Sequence, residues 1–543
     1  MGHPGVDTWL LPDLLPTEEL FAALAARFGL DIAPEYEATA LYADSFDWRL
    51  YKQGYLLHCS GACWTLCHHD SREVAVEQDG PALHTSCFAR DFPRGKLREL
   101  LEPVLDIRCL LPLATAQVRS RQIRVLNRDK KTVAQIVIET QRPSTLPGGL
   151  APLKLLRPLP SEARTASLTT DGEHHYRLFR LFGVRGYESE QKGVRRMLAA
   201  SGVTETVSPW FGFEEVCQAQ GRRPLDYSSK FMLELGGGET AREAMTRAYQ
   251  ALLDTITRNI PGVLADYDPE FLHDLRVAIR RTRSGLSLVK RVLPDSVSSR
   301  FSREFRRLGG LTGPTRDLDV YLLAYEDCLR RLPPFLQPGL QEFFAELRRK
   351  RQGEQKKLAH ALRAKKTEAF FDAWQQALKQ HDRQTADLAD LPVRELADQI
   401  IIKRYKRVMR DGRALDAVTP DAEVHGLRIQ CKKLRYVLEF FGSLYLGREL
   451  QILIRKLKKL QDILGCFNDL SVQQEMLHQS LRSLPAEGQH NFDQAAALGG
   501  LLQSLFQEQQ SLRTHFAEEF AQFGDQKTAT LFYQLFKKRR KPV

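Results

Sequence analysis

The stretch from His273 to Arg283, HDLRVAIRRTR, returns at His425 to Arg435 as HGLRIQCKKLR. His273 matches His425, Arg276 matches Arg428, Arg280 matches Lys432, Arg281 matches Lys433 and Arg283 matches Arg435, always 152 residues apart. The same offset carries Arg306 and Arg307 onto Lys458 and Lys459, Gly313 onto Gly465, and Asp317-Leu318 onto Asp469-Leu470. A constant register of this kind marks a duplicated unit, so this half of the chain has to fold as two copies of one design.

Neither copy contains proline, and both are patterned as helices. At about 100° per residue, His273, Arg276, Arg280 and Arg283 fall within an arc of about 80°. Leu275, Ala278, Ile279, Leu286 and Val289 occupy the other side, and Lys290 prolongs the cationic stripe. In the second copy His425, Arg428, Lys432 and Arg435 form the stripe, backed by Leu427, Leu434, Val437 and Leu438. Like charges three and four residues apart on a helix repel. An unrelieved cationic stripe, present twice, points to an anionic ligand that offsets the repulsion. Arginine offers a rigid fork of donors to phosphate oxygens, and lysine a point charge. The competing reading is a solvated basic helix, or arginines paired with carboxylates of neighbouring helices. The two histidines read as hydrogen-bonding partners of a phosphate or as structural residues. No carboxylate–histidine–nucleophile arrangement accompanies them.

The charge distribution supports a polyanion partner. The net charge is +12, yet residues 251–543 hold 49 Lys and Arg against 36 Asp and Glu, while residues 1–250 hold 30 against 31. The whole excess sits with the repeat. At 543 residues and 43% hydrophobic, the chain has room for two to four globular domains. It shows neither an apolar run long enough to cross a membrane nor the pattern of a signal peptide, which predicts a cytoplasmic protein. Nine cysteines without framework spacing fit a reducing compartment. Cys59, Cys63 and Cys67, followed by His68 and His69, read as buried strand thiols rather than a metal site, on the expectation that positions four apart on a strand share a face. No cofactor is expected.

Thr17 is the expected cap of a helix over residues 17–29. Short β-rich segments fill residues 37–140. A Pro-, Leu- and Gly-rich stretch from Pro143 to Pro160 interrupts them. Strand-like HHYRLFRLFGV and FMLEL follow, with a helix between them around Glu188–Ala200. Gly236-Gly237-Gly238 marks the expected boundary. Beyond it helices are predicted at 240–259, 269–292, 297–310, 316–331, 337–363, 366–380, 392–411, 421–445, 447–463, 468–484, 489–522 and 526–539. Turns are expected at Pro261-Gly262, Pro333-Pro334, Asp411-Gly412 and Leu484-Pro485. Gly313 and Gly465 suit C-terminal helix caps, with Asp317 and Asp469 in the first turn of the following helix. Asp317 with Asp319 would suit Mg²⁺, but Asp319 matches Ser471, which favours the structural role. The tail Lys537-Lys538-Arg539-Arg540-Lys541 reads as a frayed basic end.

HDLRVAIRRTR…RDLDV and HGLRIQCKKLRYVLEFF…LKKLQDILGCFNDLSV together closely resemble the CHAD domain, the conserved-histidine α-helical domain. The resemblance covers about residues 240–543. It implies two repeated four-helix-type bundles, about 240–390 and 392–543, whose basic helices face a shared surface. It also implies binding of inorganic polyphosphate and association with polyphosphate granules. The family's residues carry over at His273, Arg276, Arg280, Arg281, Arg283, His425, Arg428, Lys432, Lys433 and Arg435, with Arg306, Arg307, Lys458 and Lys459 as further contacts; Lys290, which prolongs the stripe, is a candidate contact beside them. Residues 1–235 resemble the CYTH or triphosphate-tunnel fold in ALYADSFDWRLYKQGYLL, LFGVRGYESE and SSKF. The Glu-x-Glu-x-Lys strand that opens that fold is missing: the first segment is DTWLLPD, and Glu35-Tyr36-Glu37-Ala38-Thr39 comes later and ends in Thr. The resemblance therefore implies a degenerate, non-catalytic domain, with Arg119, Arg121, Arg124 and Lys131 as candidate anion contacts. The expected fold is α+β and multidomain: an antiparallel β-rich tunnel-type domain followed by an all-α domain. The expected function is polyphosphate binding. A triphosphatase or polyphosphatase and a nucleic-acid-binding protein are the alternatives. Sparse aromatic residues in the stripes speak against base stacking.

Overall fold

A computed structural model describes residues 6–68, 74–83, 85–144, 175–208, 210–231, 233–380, 386–415, 419–445, 447–485 and 488–537. The chain divides into two compact units, Met1–Ser229 and Lys230–Val543. The first is an antiparallel β-sheet unit with added helices and the second is helical, which gives the α+β arrangement.

The first unit contains strands β1 (Asp7–Leu10), β2 (Gly29–Ile32), β3 (Tyr36–Asp44), β4 (Tyr55–Ser60), β5 (Cys63–His68), β6 (Val74–Asp79), β7 (Leu111–Leu126), β8 (Thr132–Pro143) and β9 (Tyr176–Gly183). Their order is β1-β9-β8-β7-β3-β4-β5-β6, with β2 added to β7. Helices α1 (Thr17–Ala25), α2 (Arg49–Lys52), α3 (Lys96–Leu105), α4 (Glu188–Ala200) and α5 (Phe211–Ala219) complete it. Leu97, Leu101 and Leu105 of α3 pack with Leu41, Leu57, Trp64 and Leu66. Leu20 and Leu24 of α1 and Val194 and Leu198 of α4 pack with Ile123, Val125, Ile136 and Phe179. Within ALYADSFDWRLYKQGYLL, the run of Asp and aromatic residues from Asp44 to Tyr51 shapes a turn: Asp44 Oδ1 accepts from the Ser45 and Leu50 N–H groups at 2.6 and 2.9 Å, and Oδ2 from Tyr51 N–H at 2.9 Å. Burial raises the Asp44 carboxyl to about 6 despite these bonds.

Several expectations need correction here. Thr17 is the first residue of α1, and Pro16 precedes it without a side-chain cap. Cys59 lies on β4 whereas Cys63 and Cys67 lie on β5, because Gly61, at φ +61°, turns the chain between them. The three thiols therefore do not share one strand. FMLEL is no strand in its described residues. Phe231 instead stacks edge-on against Phe440, and Leu235 N–H donates to Ser443 Oγ at 3.0 Å. These contacts tie the segment to the helical unit, so the division falls before the three glycines. Most of Pro143–Pro160, His69, Met232 and Lys538–Lys541 lie outside the described residues.

The second unit comprises α6 (Ala241–Ala265), α7 (Pro269–Leu288), α8 (Asp295–Leu311), α9 (Gly313–Leu323), α10 (Tyr325–Arg330), α11 (Leu340–Arg363), α12 (Lys365–Gln380), α13 (Val393–Arg413), α14 (Asp421–Phe441), α15 (Arg448–Ser483), α16 (Gln489–Phe523) and α17 (Gln526–Phe536). A capping box starts α6: Thr240 N–H donates to Glu243 Oε2 at 2.8 Å, and Glu243 N–H donates back to Thr240 Oγ1 at 3.2 Å. Two predicted turns are helix interior instead. Pro261 and Gly262 lie within α6, and Asp411 and Gly412 within α13. Both glycines serve close packing: a Cβ at Gly262 would stand 2.2 Å from Phe271, and one at Gly412 would stand 2.0 Å from Phe520.

The two copies diverge where they were expected to share a loop. Gly313 opens α9, followed at once by Pro314, and Asp317 lies beyond the first turn. Pro314 supplies no N–H to a continuing helix, which accounts for the break from α8. Its counterpart is Cys466, and α15 runs unbroken through Gly465 and Asp469. The buried series Leu450, Leu453, Leu457, Leu460, Leu464, Phe467, Leu470 and Leu477 holds it. That burial outweighs the roughly 1 kcal/mol an interior glycine costs.

A candidate anion-binding cleft between the two copies

Helix α7 begins with Asp268, whose side chain accepts from the Glu270 and Phe271 N–H groups at 2.9 and 3.3 Å, and with Pro269 in its first turn. It buries Phe271, Leu272, Leu275, Ala278, Ile279 and Leu286. Helix α14 buries Leu427, Cys431, Leu434, Val437, Leu438 and Phe441. These apolar faces fix the rotation of each helix, and with it the direction of each basic stripe.

The stripes meet. A cleft of about 470 Å³ is lined from α7 by His273, Arg276, Val277 and Arg280 and from α14 by Arg428 and Lys432. Helix α9 adds Arg316, Asp317, Val320 and Tyr321, and α15 adds Asn468, Asp469, Val472 and Gln473. The offset of 152 residues relates these contributions pairwise: Arg276 to Arg428, Arg280 to Lys432, Arg316 to Asn468, Asp317 to Asp469, Val320 to Val472 and Tyr321 to Gln473. The lining holds five Arg and Lys residues against two Asp.

Both aspartates face an arginine. Arg276 lies 3.7 Å from Asp317, and Arg428 lies 3.3 Å from Asp469. Arg276 also donates to the Gly309 carbonyl at 3.4 Å and to Thr312 Oγ1 at 3.5 Å. Burial lowers the Arg276 guanidinium from its usual range; Asp317 opposes that shift, and Arg280, Arg316 and Arg283 add to it. Burial likewise raises the Asp317 carboxyl, against the pull of Arg276 and Arg316. Arg280 is exposed and has no carboxylate partner among the described residues. Lys432 is half-buried; burial, then Arg428 and Arg280, bring its ammonium down to about 8, with Asp469 opposing and Arg435 adding.

The remaining predicted residues fall outside the lining. His425 Nδ1 donates to Asn468 Oδ1, tying α14 to α15, and Asn468 Nδ2 donates to Asp469 at 3.2 Å. Arg281 turns to Glu439 of α14 at 2.9 Å and over the Phe231 ring at 5.4 Å. Arg435 meets the same Glu439 at 2.6 Å. Lys433 faces Arg404 and Arg407, and burial lowers its ammonium first of all. Arg307 pairs with Glu304 at 2.9 Å. Burial, then Arg306 and Arg280, lowers the Arg283 guanidinium from its usual range. Lys458 and Lys459 are exposed on α15. Lys290 is exposed but lies beyond the end of α7, so it does not prolong the helical stripe.

Sequence reasoning passed over Arg316, Asn468, Val320, Val472, Tyr321 and Gln473 as lining residues. The repeat offset, applied through RDLDVY and NDLSVQ, carries the signal for all of them. Asp319 does not face the cleft: it pairs with Arg351 at 2.8 Å, so it forms no cation pair with Asp317. Among the described residues, no group of three or more His, Cys, Asp or Glu side chains is placed to hold a metal ion. Among the described helices, none is long and apolar enough to cross a membrane. In the first unit Arg119 faces Glu37 at 3.4 Å and Glu35 at 3.9 Å, Arg121 faces Glu35 at 3.6 Å, and Arg124 pairs with Asp31. Lys131 is exposed.

Comparison with known proteins adds a family likeness. Residues 247–478 match the model of the CHAD domain. The crystal structure of the CHAD domain from the plant Ricinus communis is similar, at 26% identity, covering 54% of this chain and 96% of its own, with a TM-score of 0.44. PptA from Streptomyces chartreusis is similar at 16% identity, covering 52% of this chain and 99% of its own, with a TM-score of 0.42. No curated protein matches the chain.

Proposed function

We propose that the helical unit binds inorganic polyphosphate, with the cleft between α7 and α14 as the principal site. One observation carries the proposal: two sequence-related cationic stripes converge on one cleft, with five Arg and Lys residues against two Asp. A flexible chain carrying one negative charge per phosphate suits such a lining, because each phosphate can take a fork or a point charge in turn. Arg276, Arg280, Arg428 and Lys432 make the central contacts, joined by Arg316 and His273. Arg283 and Arg306 continue the track along the surface. Arg281, Arg435 and Arg307 lie outside the cleft lining, held by Glu439 and Glu304, and act through structure. His425, Lys433, Lys290, Lys458 and Lys459 are outer contacts of a long polymer. Two four-helix-type halves related by the repeat offset best explain why the lining is paired.

In this reading the sheet unit is a CYTH-like tunnel-type domain without hydrolytic function, because β1 carries Asp-Thr-Trp-Leu in place of the metal-holding glutamates. The protein is then a binding module that associates with polyphosphate granules in the cytoplasm, not a hydrolase.

The test is a set of titrations at equal phosphate concentration with polyphosphate, orthophosphate and single-stranded RNA. The proposal expects polyphosphate to bind tightest. The described cleft lining holds no Phe or Trp, and Tyr321 and His273 are its only rings, which gives successive bases little to stack on. RNA binding as tightly as polyphosphate would overturn the proposal in favour of nucleic-acid binding. Steady-state phosphate release that depends on Mg²⁺ or Mn²⁺ would overturn the non-catalytic reading of the sheet unit.

A further inference from the structure

Lys432 stands apart from the other cations of the cleft. It is half-buried on α14, lines the cleft, and makes no ion pair among the described residues. Arg428 and Arg435 of its own helix and Arg280 of α7 crowd it, and Asp469 of α15 opposes them. Arg276, Arg280 and Arg428 line the same cavity. An amine crowded by guanidiniums inside an anion-collecting cleft combines two properties that rarely occur together. The surroundings favour the uncharged, nucleophilic amine. They also hold a phosphate group beside it.

We propose that Lys432 is a site of direct acylation by small acyl phosphates, and that this modification closes the cleft to polyanions. The proposal rests on the anion-binding reading of the cleft. The phosphate group of the donor docks on Arg276, Arg280 and Arg428, and its carbonyl carbon comes within reach of Nζ. Nζ attacks that carbon, an N–C bond forms, and the C–O bond to phosphate breaks. The leaving phosphate takes the proton released by nitrogen, so one acyl phosphate yields one amide and one hydrogen phosphate. No oxidant, reductant or metal is needed. The product is a neutral amide where a cation stood, and its added acyl group occupies the space between the two stripes. Lys458 is exposed and lies outside the cleft lining, so it serves as the internal reference.

The full chain is incubated with acetyl phosphate at pH 8, and acetylation is followed by peptide mass spectrometry. Burial and the neighbouring guanidiniums lower the Lys432 ammonium toward 8, so at that pH more of it is free amine than of an ordinary lysine. Allowing for the weaker basicity of the amine, Lys432 is expected to react on the order of tenfold faster than Lys458 or Lys459. Inorganic phosphate is expected to slow Lys432 selectively. Acetic anhydride, which has no phosphate to dock, is expected to show less preference for Lys432. Equal rates at Lys432 and Lys458, or a preference that phosphate does not reduce, would overturn the proposal. Polyphosphate affinity measured on the same sample separates the two claims. Tight polyphosphate binding without selective acetylation removes the acylation site and leaves the binding reading intact. Selective, phosphate-blocked acetylation without polyphosphate binding does the reverse. The Lys432→Gln variant, a mimic of the amide, is expected to lose at least about tenfold in polyphosphate affinity, as acetylated protein does; undiminished binding by both would overturn the closure.

Discussion

At Lys432 burial and neighbouring cations act in the same direction, and the consequences can be measured. Its ammonium lies near 8 in the fold, against an ordinary 10.5. Between those values the unfolded chain holds more protons than the folded one, so stability contributed at this site rises with pH across that window. Below about pH 8 both states are protonated and the full cost of burying the charge remains. Replacing Lys432 by Met is expected to flatten that slope, which denaturant melts from pH 8 to 10 would reveal. An unchanged slope would remove Lys432 as its source. Anion binding runs the other way: it needs the charged amine, so polyphosphate affinity is expected to fall as pH rises through 8. Asp317 and Asp469 act as built-in competitors for Arg276 and Arg428. Their joint replacement by Asn is expected to tighten polyphosphate binding by several-fold, because a phosphate then meets guanidiniums that no carboxylate holds. Weaker binding in a titration would show that the aspartates position the arginines rather than compete for them. The basic positions were legible in the sequence as a pattern of spacing. Which of them face inward was not, because Arg281 and Arg435 are drawn aside by Glu439, a partner the stripe pattern does not name.

Helix periodicity located the elements, while the breaks between them depended on tertiary contacts. Pro261-Gly262, Asp411-Gly412 and Gly465 all carry turn chemistry in the sequence, and all three lie inside helices. Packing decides each case. Gly262 lets α6 approach Phe271, so Gly262→Ala is expected to destabilise the unit by about 1–3 kcal/mol through overpacking. Gly465 has open space around its missing side chain. There Gly465→Ala is expected to stabilise α15 by about 0.5–1 kcal/mol. Thermal melts of the two variants should therefore shift in opposite directions, and shifts of the same sign would contradict this account. Glu439 links elements as well: it joins Arg281 of α7 to Arg435 of α14. Glu439→Gln leaves the half-buried Arg281 without its anion and is expected to cost about 1–3 kcal/mol in a denaturant melt. The constant offset is legible in the sequence, while the unequal helix breaks follow from Pro314, whose counterpart is Cys466.

Over the whole molecule, charge asymmetry between the two halves anticipated which unit would carry the cationic cleft. The fold class followed from β-rich and helical patterning. The sheet unit shows the limit of motif reading. Its run of Asp and aromatic residues is occupied in shaping a turn around Asp44, and its candidate arginines face glutamate or aspartate. The helical unit places its repeat to opposite effect, with cations gathered around a cavity. A polyanion held by many such contacts should respond to salt as nucleic-acid complexes do, with the logarithm of affinity falling linearly against the logarithm of salt concentration. The most direct measurement is that slope for the full chain and for a variant carrying Arg276→Gln, Arg280→Gln, Arg428→Gln and Lys432→Gln, with circular dichroism confirming that both are folded. Polyphosphate binding by the unaltered chain is expected to be tight and steeply salt-dependent, and the variant is expected to bind more weakly with a slope shallower by roughly three. Equal slopes and equal affinities in two folded proteins would contradict it, because the polymer would then be held elsewhere than the cleft between α7 and α14.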